Sequence, residues 1–283
     1  MKNEKEYKDR LTITLSPSIL KKVDSMVDGK SVRNRSHAIE TILSQHILSR
    51  VTKVIILAGG KGANMRPLTY EIPKAMLPVH DRPLVEYSIT SLVAAGLRDI
   101  TIVVGHLGNK VEQAFGDGSR FGARITYVQD LEESGTAQAL VAARNVVGDN
   151  PFLLLYGDVL ASVDWLSLID FHDQQQSLLT MAVTTVTDTT PWGVVKMQGA
   201  HITDLEQHHD AGTGNSHLIN SGVYVVDPSV LSRITPTTKS FEDEIVAPMT
   251  NRQEVAGYHF SGQWFDVGSS TEYARALKEW SIR

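Results

Sequence analysis

Lys53-Val54-Ile55-Ile56-Leu57-Ala58-Gly59-Gly60-Lys61-Gly62 is the stretch on which the reading of this 283-residue chain turns. Lys53–Leu57 is short, apolar and rich in β-branched residues, which specifies a buried strand. It runs directly into clustered glycines, the pattern of a backbone that a ligand must approach closely. The glycine spacing fits neither a P-loop nor a dinucleotide-binding fingerprint.

Downstream, the chain alternates. Leu84–Ala95 reads as helix, Ile100–Val104 and Ile125–Val128 as strands, and Thr136–Val146 as helix. Phe152–Tyr156 is a further strand, ending in Gly157-Asp158. Such βα alternation predicts an α/β fold with a mixed, mostly parallel sheet of Rossmann-like type and helices on both faces. Ligands then sit at the carboxyl ends of the strands, where Gly59, Gly105 and Asp158 fall. Beyond Val163 the rhythm loosens. Leu178–Val186, Gly193–Met197, Val223–Val226 and Val255–Phe260 read as strands and Ser270–Trp280 as a closing helix, predicting an antiparallel addition around an acceptor site.

Composition narrows the function classes. A 42% apolar content supports a proper core, and the length favours two domains, placed at 1–50 and 51–283. The absence of cysteine excludes disulfides, thiolate nucleophiles and sulfur-ligated metals. No apolar run reaches signal-peptide or membrane-spanning length, so a soluble cytoplasmic protein is expected. The net charge of −5 is uneven: residues 1–50 carry ten Lys or Arg against six Asp or Glu, whereas the remainder is acidic. That split permits a nucleic-acid-binding end.

Within those first residues, Arg10–Leu15 alternates polar and apolar like an amphipathic strand. Ser16-Pro17 opens a helix carrying Ile19, Leu20, Val23 and Val27. After Gly29 and a basic turn, a second helix carries Ala38, Ile39, Ile42, Leu43 and Ile47, with Asn34 or Ser36 as its N-cap. Strand, helix, turn and helix over residues 9–48 resemble a ribbon-helix-helix DNA-binding domain. The resemblance implies a homodimer through a shared ribbon, with any higher oligomer left open. It also implies base contacts from Arg10, Thr12 and Thr14 and a DNA phosphate near Asn34, Arg35 and Ser36.

A chain of ordered motifs carries a second resemblance. Gly59–Thr69 is followed by Pro73-Lys74-Ala75-Met76-Leu77-Pro78, Gly116-Asp117-Gly118, Gly135-Thr136-Ala137 and Gly157-Asp158. Gly193-Val194-Val195, Asn220-Ser221-Gly222 and Trp264-Phe265-Asp266-Val267-Gly268 complete it. Residues 53–280 thereby resemble the sugar-1-phosphate nucleotidyltransferases, which join a nucleoside triphosphate to a sugar phosphate and release pyrophosphate. That resemblance implies a Mg²⁺ held by Asp158 and Asp266, hard oxygen ligands that the sequence alone does not bring together. It implies a backbone cradle at Gly59, Gly60 and Gly62, with Gly135, Thr136 and Gln129 bordering the base and ribose. Glu206 and Asn220 would face the sugar, and Lys74 would neutralise phosphate.

Two positions depart from the family pattern. Asn64 stands where the glycine loop normally has a triphosphate-clamping arginine, and Gln207 stands where a lysine meets the sugar phosphate. Losing such a charged donor costs roughly 3–4 kcal/mol of transition-state stabilisation. The reading that follows is a DNA-binding regulator whose large domain binds a nucleotide or NDP-sugar with weak or absent turnover. The alternative is an active, Mg²⁺-dependent nucleotidyltransferase.

Overall fold

In the computed structural model, which describes residues 12–30, 32–47, 50–130, 135–206 and 216–281, Val54 and Ile56 pack into one apolar cluster and Ile55 into another. All three are fully buried. A strand covered on both faces has no polar side, which is why the opening stretch reads as a continuous apolar run.

The chain divides into two compact units, Met1–Ser49 and Arg50–Arg283. In the first, α1 (Pro17–Met26) begins at Ser16, whose hydroxyl accepts from the Ile19 amide at 3.4 Å. It contacts α2 (Arg35–Ile47), and Val23 and Ala38 are buried. The expected ribbon is not seen: among the described residues no strand precedes these helices, and Thr12–Ser16 has no strand partner among them. A strand exists only through a hydrogen-bonded neighbour, and the described residues of this unit supply none, so alternation by itself does not make one. The ribbon-helix-helix assignment is therefore withdrawn, and with it DNA as a partner and the ribbon-mediated homodimer.

The residues assigned to DNA have other places. Arg10 lies outside the described residues, and Thr12 and Thr14 are exposed on the unpaired stretch. Asn34 caps α2 by accepting from the His37 amide at 2.9 Å. Arg35 forks onto Asp24, with bonds of 2.5 and 2.8 Å to its two carboxylate oxygens. Ser36 is an exposed residue of the first turn of α2. The helix start that was to hold a phosphate thus serves the contact between two helices.

The second unit opens with β1 (Lys53–Ala58), a small hairpin of β2 (Pro78–Val79) and β3 (Arg82–Pro83), α3 (Leu84–Ala94), β4 (Asp99–Val104), α4 (Gly108–Phe115) and β5 (Arg124–Gln129). Next come α5 (Thr136–Ala142), α6 (Arg144–Val147), β6 (Phe152–Tyr156), β7 (Val159–Ala161), α7 (Trp165–Gln175), β8 (Leu179–Thr185), β9 (Val194–Gln198) and β10 (His201–Glu206). The chain closes through β11 (Leu218–Val226), α8 (Ala247–Thr250), β12 (Val255–His259), β13 (Trp264–Asp266) and α9 (Ser270–Glu279).

Nine strands form one mixed sheet in the order β5-β4-β1-β6-β11-β8-β12-β10-β9. The first four are mutually parallel, as βα alternation requires. The sheet changes character at β11, which runs antiparallel to both β6 and β8. Helices α3, α4 and α7 cover one face through Ile89, Phe115 and Leu168. Helices α5, α6 and α8 cover the other through Leu140, Val147 and Met249. No helix among the described residues is long and apolar enough to cross a membrane.

Candidate active site

The carboxyl ends of β1, β4 and β6 open onto one rim of the sheet. Asp158 follows β6 and immediately precedes β7, which pairs antiparallel with β13 so that Asp266 lies opposite Val159. The Val267 amide donates to the Asp158 carbonyl at 3.0 Å. This two-stranded ribbon brings two sequence-distant carboxylates together. A third apolar cluster fixes it, with Leu160, Phe265 and Val267 packed among Met65, Leu77 and Ala276. The same cluster anchors the loop bearing Lys74, whose ammonium is bonded directly to Asp158 Oδ2.

The electrostatics follow from burial. The Asp266 carboxyl is pushed up to about 6 by desolvation and by the neighbouring Asp158 charge, against the opposing pull of Lys74 and of Trp192. The Trp192 indole donates to Asp266 Oδ2 at 3.1 Å. For Lys74, burial disfavours the ammonium, but Asp158 and Asp266 outweigh it and hold its pKa above the ordinary lysine range. The junction therefore keeps a cation beside its two acids.

Two cavities meet there. One, of about 390 Å³, is lined by Gly59, Gly60, Lys61, Asp130, Gly135 and Thr136. The other, of about 280 Å³, is lined by Lys74, Trp192, Asn220, Glu242, Trp264 and Asp266. Tyr156 and Asp158 belong to both. The register of β11 against β8 shifts between Asn220 and Tyr224. Irregularities of this kind re-aim side chains beside functional sites.

A divalent cation suits this donor set. Two carboxylates side by side supply hard oxygens, and no group of three or more potential ligands exists among the described residues. A magnesium ion held by Asp158 and Asp266 would keep its remaining positions for phosphate oxygens and water, the arrangement Mg²⁺ favours in phosphate chemistry.

The structure brings together Lys74, Asp158, Asp266 and Asn220 on one side, and Gly59, Gly60, Gly135 and Thr136 on the other. The glycines differ in purpose. A Cβ on Gly60 would meet nothing within 4 Å, whereas one on Gly59 would lie 3.2 Å from the Gly105 amide. Gly59 thus lets two strand ends approach, and Gly60 leaves the cavity open. Gly62, at φ +59°, is set against Thr69 and lines neither cavity. Gln129 donates to Glu112 at 2.5 Å and lines neither. Glu206 closes β10, exposed and outside both linings. Asn64 is exposed in a 3₁₀ turn and likewise outside them. Gln207 falls outside the described residues.

Lys61, Tyr156, Trp192 and Glu242 reach the cavities without having been expected there. Tyr156 was legible in principle, since it lies two residues before Asp158 at the end of a strand. Glu242 was not, because nothing in Glu242-Asp243-Glu244 marks which acid is buried.

An α/β sheet whose parallel-strand rim carries a glycine-lined cavity, an adjoining aromatic-walled cavity and a paired carboxylate centre between them has its candidate ligand site where open α/β folds place theirs. Residues 53–281 match the family model described as nucleotidyl transferase, and the chain belongs to that family. Mannose-1-phosphate guanyltransferase of Schizosaccharomyces pombe is 31% identical over 225 residues, covering 78% of this chain and 62% of that protein. The mannose-1-phosphate guanylyltransferase catalytic subunit beta of Danio rerio is 30% identical over 230 residues, covering 80% of this chain and 63% of that protein. The chain thus spans roughly three fifths of the length of these curated relatives. A Bacillus anthracis protein assigned as a glucose-1-phosphate thymidylyltransferase, solved with sucrose, superposes with a TM-score of 0.71 at 26% identity, over 82% of this chain and 97% of that one. A UDP-glucose pyrophosphorylase complexed with UDP-glucose, at 22% identity and a TM-score of 0.67, shares the fold over 81% of this chain and 97% of its own.

These findings correct the expectation of a regulator with weak or absent turnover. That reading counted Asn64 as a cation missing from the site, but Asn64 lines neither cavity, and the glycine-lined cavity contains Lys61. With the DNA-binding ribbon gone as well, the reading favoured is the enzymatic one.

Proposed function

We propose that the protein transfers a nucleotidyl group from a nucleoside triphosphate to a sugar 1-phosphate, releasing pyrophosphate. The observation that carries this reading is the junction: Asp158 is shared by two cavities, with Lys74 and Asp266 beside it. Membership of the nucleotidyl transferase family supports a metal-dependent centre there. Relatives at about 30% identity named for guanylyl transfer to mannose 1-phosphate make GTP and mannose 1-phosphate the first pair to test.

In this reading the nucleotide occupies the glycine-lined cavity, with Gly59, Gly60, Gly135 and Thr136 around it. The sugar phosphate occupies the aromatic-walled one, beside Asn220. An already ionised phosphate oxygen attacks the α-phosphorus. A new P–O bond forms as the bond to the β-phosphate bridging oxygen breaks, and the electron pair leaves with pyrophosphate. Proton transfer is minor, so the protein's task is in-line placement and charge neutralisation. Magnesium held by Asp158 and Asp266 would supply Lewis-acid neutralisation of the phosphates. Lys74 contributes a fixed positive charge where two phosphates meet, and the Trp192 indole orients Asp266.

The test is pyrophosphate release by the full chain with Mg²⁺ across a panel of nucleoside triphosphates and sugar 1-phosphates. Turnover with GTP and mannose 1-phosphate is expected. Silence with every pair, from protein shown to be folded, would overturn the proposal.

A further inference from the structure

Glu242 is a buried acid whose carboxylate accepts from three hydroxyls belonging to three different elements. Thr136 Oγ1 donates to its Oε2 at 3.1 Å. Its Oε1 accepts from the Tyr156 hydroxyl, and from the Tyr224 hydroxyl at 3.3 Å. The Tyr224 oxygen in turn accepts from Asn220 Nδ2 at 2.6 Å, and Asn220 Oδ1 accepts from the Gly222 amide at 3.0 Å. A continuous hydrogen-bonded path thus leads from Thr136, at the start of α5 in the glycine-lined cavity, to Asn220 in the aromatic-walled one.

The backbone reinforces the path. The Phe241 amide donates to Thr136 Oγ1 at 2.9 Å, so that hydroxyl is held by the residue adjoining Glu242 as well as by Glu242 itself. The segment Glu242–Val246 is a π-turn, a widened helical geometry concentrated at functional sites. Gly135 is pressed so close to this segment's approach that a Cβ there would lie 2.4 Å from the Lys239 carbonyl. An apolar residue would fill the space without the desolvation cost of a buried carboxyl. Only a two-oxygen acceptor joins Thr136 on one side to both tyrosines on the other. Burial accordingly pushes the Glu242 carboxyl up to about 7.

Resting on the transferase reading above, we propose that Glu242 is a positioning residue that couples the two cavities, so that filling the nucleotide side preorganises Asn220 for the sugar phosphate and the reverse. Coupling between sites is reciprocal and measurable as a change in one ligand's affinity when the other is present. Glu242 acts through Thr136, Tyr156 and Tyr224 rather than on the reacting atoms.

The test is calorimetric and independent of turnover. The full chain with Mg²⁺ is titrated with the α,β-methylene analogue of GTP, with and without saturating mannose 1-phosphate. The wild type is expected to bind the analogue about tenfold more tightly with the sugar phosphate present. Tyr224→Phe, which cuts only the limb to Asn220 and preserves core volume, is expected to bring that factor within about twofold of unity while the analogue alone binds to within about threefold of wild type, and Glu242→Gln is expected to bring the factor within about twofold of unity. Thr136→Val should do the same to the coupling, and Thr136→Ser should restore it. Wild-type turnover combined with undiminished coupling in Tyr224→Phe overturns the relay and leaves the transferase reading intact. A folded wild type that binds neither probe overturns both. Should Glu242→Gln fail to fold, the Tyr224→Phe result decides.

Discussion

The Val267 amide donates to the Asp158 carbonyl at 3.0 Å, and through this bond two carboxylates from distant parts of the chain share one site. The bond extends the pairing of β7 with β13 by one step, placing Asp266 beside Asp158 without either residue belonging to the main sheet. The two acids are therefore held by a ribbon on the rim of the sheet, with Lys74 against one of them and Trp192 against the other.

Asp266→Asn is expected to lower turnover by about 10²–10³ through loss of metal and phosphate positioning. It should not lower the thermal midpoint at neutral pH, because burial and Asp158 already disfavour the ionised form at this position. Pyrophosphate release and a melting curve on the same preparation check both halves. A large loss of stability would show that the carboxylate is needed for folding.

Lys74→Met removes the cation bonded to Asp158 and leaves the two acids facing each other. Turnover is expected to fall by about 10²–10³, and the deficit should not be recovered by raising sugar phosphate alone. Steady-state kcat and KM against each substrate provide the measurement.

Asn64→Arg restores the arginine that the sequence pattern lacks. Because Asn64 lines neither cavity, turnover is expected to change by no more than about threefold. A gain of two orders of magnitude in kcat/KM would show instead that the loop reaches the triphosphate.

Glu242 predicts a pH dependence of stability. Its folded-state pKa, about 7, lies above the ordinary 4.5, so the folded chain binds more protons than the unfolded chain between those values. Stability contributed by this group is fully present below pH 4.5 and is lost as pH rises through 7. The loss is on the order of 3 kcal/mol. Asp266 adds a slope of the same sign up to about pH 6. Urea midpoints from pH 5 to pH 8 should therefore fall more steeply in the wild type than in Glu242→Gln; parallel slopes would refute the assignment.

Gly135→Ala places a Cβ 2.4 Å from the Lys239 carbonyl at a residue whose φ is +102°. A backbone conformation foreign to alanine and a contact with main chain both oppose it, so destabilisation exceeding about 1 kcal/mol is expected. Chemical denaturation reads it.

The part of the fold legible in sequence was the part made by local pattern. Val54–Leu57, Phe152–Tyr156 and Ile102–Val104 are continuous apolar runs because parallel strands are buried on both faces, and the observed strands contain them. The short ribbon β7–β13, the strand β10 and the π-turn at Glu242–Val246 leave no such trace, since each owes its form to neighbours distant in sequence. Local alternation also misled at Arg10–Leu15, where a strand-like pattern meets no partner within the described residues and Thr12–Ser16 stays unpaired. Gln129, Glu206 and Gly62 are expected at the site from sequence, yet their side chains or backbones are turned to Glu112, solvent and Thr69.

By itself the sequence determined the parallel half of the sheet, the glycine turn at its rim and the motif positions of Lys74, Asp158 and Asp266, because hydrophobic periodicity and glycine placement are local properties of the chain. Only the tertiary structure decided that Asp158 and Asp266 are neighbours, that Asn64 stands away from the cavities and that Glu242 is the buried acid linking them. Each of those facts depends on backbone hydrogen bonds and desolvation between segments far apart in sequence, and no spacing along the chain encodes a distance in space.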